Sequence, residues 1–132
     1  MAFLLWGCSA SRHSPMGSPA LNGTWIPVSE ELGGKTLPPA AFQTQQLVLG
    51  DSTYIFSAES VDKGAVKFHG NKMDIYGKEG VNAGKHFTAM YQLENGLLTI
   101  CYNLAGDSYP DSFTTTGKPL YFLTTFKKTA AN

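Results

Sequence analysis

Charge is scarce in this chain, and so is cysteine. Only 15% of the 132 residues are charged, and ten basic residues cancel ten acidic ones. A nucleic-acid-binding domain gathers Lys and Arg into a patch and runs to a high pI. Here the pI is near 6.8, so the composition argues against nucleic acid as a partner. Two cysteines, Cys8 and Cys101, are too few for a framework of bridges. No apolar run approaches the ~18 residues of a membrane span, so the only membrane contact expected is through a lipid anchor. No helical segment is long enough to cross between parallel strands. His13, His69 and His86 show no metal-ligand spacing, and neither metal nor cofactor is expected.

What is present divides into residues 1–20 and 21–132. The first part, "MAFLLWGCSASRHSPMGSPA", does not read as part of a fold. An apolar run, Ala2 to Trp6, leads to Gly7-Cys8, and Leu5 stands three before the cysteine. This resembles a bacterial lipobox, which implies cleavage before Cys8, lipidation of its thiol, and an exported protein anchored in the cell envelope or secreted. The alternative is an incidental cysteine in a frayed terminus. Ser9 to Ala20, rich in Ser, Pro and Gly, fits a flexible tether. A lipidated Cys8 would leave Cys101 alone; an unprocessed Cys8 leaves a bridge to Cys101 open.

From Leu21 onward, strand-like runs alternate with turn signals. "GTWIPVSE" comes first, with Pro27 marking a bulge or an edge because it cannot donate to a ladder. Pro38-Pro39 followed by Ala40-Ala41-Phe42 predicts one short helical turn. Then come "QQLVLGD", "TYIFSA", "AVKFH", "KMDIYGK", "KHFTAMYQLE", "LLTICYNL" and "PLYFLTTFKK". Eight consecutive, hairpin-linked strands predict an all-β fold: an antiparallel up-and-down barrel, whose closure removes the sheet edges. A monomer is expected.

Asn-Gly is the strongest short hairpin signal. A two-residue turn at Asn95-Gly96 sets Glu94 opposite Leu97 and Tyr91 opposite Ile100. One face of that ribbon then carries Phe87, Ala89, Tyr91, Leu93, Leu98, Ile100 and Tyr102, and the other Thr88, Met90, Gln92, Thr99, Cys101 and Asn103. Gly70-Asn71 likewise sets Phe68 against Met73 and Val66 against Ile75. It also predicts an exposed ion pair between Lys67 and Asp74. Asn103 to Pro110 reads as a rim loop, with Phe113 folding back to plug it.

These residues carry a resemblance. "NGTW" (Asn22 to Trp25) is similar to the Gly-x-Trp opening of lipocalin-like barrels. Tyr91, Leu93, Leu98, Ile100, Cys101, Pro110 and Phe113 fall on the pattern of a small lipocalin-like (calycin-type) family abundant in planctomycete bacteria. "GGKTLP" fits it too, and the likeness spans most of Leu21 to Lys128. Tyr109 stands where that pattern has Arg. The resemblance implies a lipocalin-like barrel and no particular reaction. It also implies that Trp25 closes one end, stacked under Lys127 or Lys128.

Candidate chemistry is thin. Cys101 as a nucleophile needs a nearby base, and His86 lies about four residues along the strand, ~13 Å by strand rise. A small apolar wall residue is the plainer role. Asp107 and Asp111 flank Tyr109 as a carboxylate pair, but acids in Gly/Asp/Pro loops are usually structural. No catalytic residue is assigned. An eight-stranded barrel is just wide enough to be filled or to hold one small ligand. The inward set Tyr54, Phe56, Phe87, Tyr91, Leu93, Ile100 and Tyr102 is bulky, yet its tyrosines offer hydroxyls to an amphipathic ligand. The expectation is therefore a non-enzymatic binder of a small apolar or amphipathic ligand, with a cavity above ~300 Å³. A filled barrel would instead indicate a structural or protein-interaction module of the envelope.

Overall fold

Asn95 and Gly96 both take left-handed backbone angles, φ 55° and 79°, as a tight two-residue hairpin turn requires. They join strand β7 (His86–Glu94) to β8 (Leu97–Asn103). Glu94 faces Leu97 and Tyr91 faces Ile100, the register read from the sequence. The computed structural model describes residues 19–129. Cys8, His13 and the tether as far as residue 18 lie outside the described residues.

The same logic orders the rest. Gly70-Asn71 joins β5 (Val61–His69) to β6 (Lys72–Glu79), with Phe68 opposite Met73 and Val66 opposite Ile75. Strands β1 (Gly23–Leu32), β3 (Gln46–Leu49), β4 (Thr53–Ser57) and β9 (Tyr121–Lys128) complete an antiparallel sheet of neighbours in sequence. Pairing of β1 with β9 closes it into an eight-stranded barrel. Pro27 does mark a bulge: the β1–β9 register shifts between Pro27 and Ser29. A single helical turn covers Pro39–Ala41, and another precedes β1 at Pro19–Leu21.

One strand was not anticipated. Gly33-Gly34 turns the chain so that β2 (Lys35–Thr36) pairs with Leu32 and Glu31 at the far end of β1. Two residues show no alternation, so only the Gly-Gly turn could have signalled it.

The up-and-down order puts the short turns at 50–52, 70–71 and 95–96 at one end, with the start of β1 and the finish of β9. That end is a packed floor. Trp25, Leu98, Ile100 and Phe126 are essentially inaccessible to solvent. Tyr91 meets Phe68 edge to face at 5.6 Å. Trp25 donates its indole N–H to the Leu21 carbonyl at 2.9 Å, so its burial leaves no polar atom unpaired. The cation over its ring is Lys128, 5.4 Å from the centroid. Lys127, the other candidate, pairs with Ile26 and Leu97 and is exposed. Alternation puts Lys127 on the outer face.

At the opposite end, the mouth, lies the longest connection (104–120), which is only in part the rim loop read from the sequence. Leu104 stands at the barrel's interior, but the segment after it crosses the outer face of the barrel. Asp74, Thr88 and Asn103 form one cross-strand row there, and the connection bonds to all three. Tyr109 donates its hydroxyl to Asp74 at 2.6 Å. Thr88 Oγ1 and Asn103 Nδ2 donate to the Ser108 carbonyl at 2.6 and 3.0 Å. Asp107 accepts from Asn103 at 2.9 Å. Further on, Thr115 Oγ1 accepts from the Gly34 N–H at 2.8 Å. Phe113, expected to plug the rim, is half-buried and belongs neither to the core nor to the lining of the barrel's cavity. Burial under this strap also explains why Asp74 forms no exposed pair with Lys67. It is buried, with His86 Nε2 at 2.7 Å and His69 Nε2 at 3.2 Å. Lys67 instead lies over the Tyr76 ring, 5.9 Å from its centre.

Candidate ligand cavity

Above the floor the barrel is not filled. A cavity of about 130 Å³ remains, smaller than the sequence-based expectation. It is comparable to an engineered core void of ~150 Å³ that takes up benzene. Alternation explains its walls. Leu47 and Leu49 on β3, Val66 on β5, and Met73 and Ile75 on β6 point inward and make its aliphatic side. Tyr54, Phe56, Phe87, Tyr102 and Phe122 add five aromatic rings, and Tyr102 stacks on Phe122 at 5.8 Å. Asn82 and Leu104, from the mouth connections, complete the lining with Asp62.

Of the seven residues expected to face a ligand, Tyr54, Phe56, Phe87 and Tyr102 line this cavity. Tyr91, Leu93 and Ile100 do not. Tyr91 and Ile100 belong to the packed floor. Leu93 lies one residue from the end of β7, past the packed interior, and is 37% exposed.

The polar part of the lining escaped the sequence reading. Asp62 is buried. Its Oδ1 accepts from the Tyr54 hydroxyl at 3.1 Å and its Oδ2 from Asn82 Nδ2 at 2.7 Å. Tyr54 reaches Asp62 because its ring passes over Gly64, where a Cβ would stand 2.8 Å from that ring. Burial, then the charge and hydrogen bond of Asp62, push the Tyr54 phenol well above its ordinary range. Close by, Glu30 faces inward after the Pro27 bulge, opposite Thr124 on β9. Glu30 is 3% exposed and makes no side-chain hydrogen bond or ion pair among the described residues. Burial raises its carboxyl to about 7. The Tyr102 phenol is also pushed well up, by burial and then by the charges of Glu30, Tyr54 and Asp62. Thr124 Oγ1 is buried without a hydrogen-bond partner among the described residues.

The outer-face groups are chemically quieter. Burial opposes ionisation of Asp74, but hydrogen bonds from Tyr109 and His86, with the charges of His86 and His69, outweigh it and hold its carboxyl below the usual range. Cys101 is fully buried, and burial with the Glu31 charge pushes its thiol up to about 11. A protonated, sealed thiol is not poised for attack. No cluster among the described residues has the make-up of a metal site, and none of their helices is long and apolar enough to cross a membrane. The chain matches no protein-family model, no curated protein and no solved structure.

Proposed function

We propose that this protein is a cell-envelope binding protein that holds a small apolar or amphipathic ligand inside its barrel and performs no reaction on it. The cavity carries the reading: mostly apolar walls, a few convergent polar groups, and a lining that includes the mouth connections. Small-molecule sites in proteins have this make-up. The apolar part of a ligand would replace poorly held water, and tyrosine hydroxyls would orient its polar end. The sealed Cys101 thiol and the structural use of Asp107 support a non-catalytic role.

Export and anchoring through Cys8 belong to the same proposal and rest on Leu5, Gly7 and Cys8 before the tether. Membership of the small lipocalin-like family rests on the motif residues from Tyr91 to Phe113. A monomer fits a barrel that the pairing of β1 with β9 closes. A second reading, an envelope interaction module, draws on exposed Val61, Val81 and Leu120 near the mouth end. Calorimetry with benzyl alcohol separates the two. Saturable binding that is lost in a folded Ile75→Trp variant supports the binder. No heat of binding at millimolar ligand supports the module.

A further inference from the structure

Of the residues lining the cavity, Asp62 alone carries a charge; no Lys, Arg or His side chain is among them. Its two hydrogen bonds come from neutral donors, Tyr54 and Asn82. An ionised carboxylate has about four acceptor sites, so about two are left. Lys63, its neighbour in sequence, pairs opposite Glu79 and is exposed, so it does not neutralise Asp62 from within. A second acid, Glu30, is buried inside the barrel opposite Thr124 and has no side-chain partner among the described residues. With Asp62, five aromatic rings line the cavity, and the negative faces of such rings attract cations.

We propose that the cavity takes a small organic ammonium ion: a primary or methylated amine bearing an apolar group about the size of a benzene ring. This rests on the binding reading above and names its ligand class. The ammonium donates to the remaining acceptor sites of Asp62 and lies against the aromatic rings, while its apolar group fills the space between Leu47, Val66, Met73 and Ile75. In a low-dielectric site a carboxylate without a counter-ion is costly, and the ligand supplies that counter-ion. A carboxylate ligand such as a fatty acid meets the opposite situation. Its head would be set against Asp62 and Glu30 with no cation to receive it.

Three probes of nearly equal size make the test: benzylamine, benzyl alcohol and benzoate, titrated into the full chain at pH 7 by calorimetry. Benzylamine is expected to bind at least tenfold more tightly than benzyl alcohol, and benzoate not at all. Asp62→Asn should bring benzylamine down to the affinity of benzyl alcohol and leave the alcohol nearly unchanged, with folding checked by circular dichroism. If the alcohol binds as tightly as the amine, or benzoate binds more tightly than either, the ammonium assignment is wrong and the cavity still binds. A folded Asp62→Asn protein that keeps the full preference for the amine also overturns it. If none of the three binds, the binding reading itself fails and the assignment goes with it. Should Asp62→Asn not fold, the wild-type comparison decides alone.

Discussion

The Tyr109 hydroxyl donates a 2.6 Å hydrogen bond to Asp74, 35 residues earlier in the chain. It fastens the long β8–β9 connection to the outside of the barrel. The bond is charge-assisted, a kind worth more than a neutral one. Tyr109→Phe is expected to cost ~1.5–3 kcal/mol in urea denaturation and to speed hydrogen exchange in the strap around Ser108. An unchanged midpoint would mean that Thr88 and Asn103 hold the strap without Tyr109.

The floor depends on Trp25 and on one of two adjacent lysines. Trp25→Ala should destabilise by ~3–5 kcal/mol, as emptying a packed aromatic site does. Lys128→Met should cost about 0.5–1 kcal/mol through loss of the cation over the ring and of the Nζ hydrogen bond to the Ala20 carbonyl, whereas Lys127→Met should cost less. Thermal unfolding of the three variants checks this. Equal losses at the two lysines would remove the Lys128–Trp25 contact from the account.

Glu30 gives stability a definite pH dependence. Its carboxyl is raised from 4.5 to about 7 in the fold. Below about 4.5 it is protonated whether the chain is folded or not, and its contribution is at its best. As pH rises toward 7 the unfolded chain releases this proton and the folded chain keeps it, so stability falls. Glu30→Gln should flatten that decline and raise stability near pH 7.5 by up to ~3 kcal/mol. Chemical denaturation at pH 5 and pH 7.5 gives the answer. An identical pH slope in the variant would show that Glu30 ionises freely.

How much of this was legible follows from where the signals lie. Asn95-Gly96 and Gly70-Asn71 state their own geometry, and alternation then set the wall residues on both sides of each turn correctly. The floor was legible only in part: the resemblance put Trp25 at a closed end, whereas Tyr91 and Ile100, correctly set inward, pack into the floor and not against the cavity. The polar mouth was not. Asp62 continues the inward alternation of Phe68 and Val66 through Gly64, but "ESVDKG" looks like solvated loop and the strand-like run begins only at Ala65. Glu30 follows a bulge, and a bulge resets the phase, so no alternation from Trp25 could place it. Asn82 lies in a Gly-rich connection with no period at all. The Tyr109–Asp74 bond joins two segments whose proximity depends on how the strap folds back, which no local pattern encodes.

The export proposal is tested apart from the barrel. In a bacterial host, Cys8→Ser should move the protein from the membrane fraction to the soluble fraction. Membrane retention equal to wild type would count against lipidation at Cys8.

The central claim is that the cavity between the packed floor and the mouth is where a ligand sits. Methyl-resolved NMR during a benzylamine titration addresses it most directly. The account predicts saturable shifts at the methyls of Leu47, Leu49, Val66, Met73 and Ile75, with Val28, Val81 and Leu97 on the surface unmoved. Shifts confined to the surface methyls, or none at any methyl up to millimolar ligand, would contradict it.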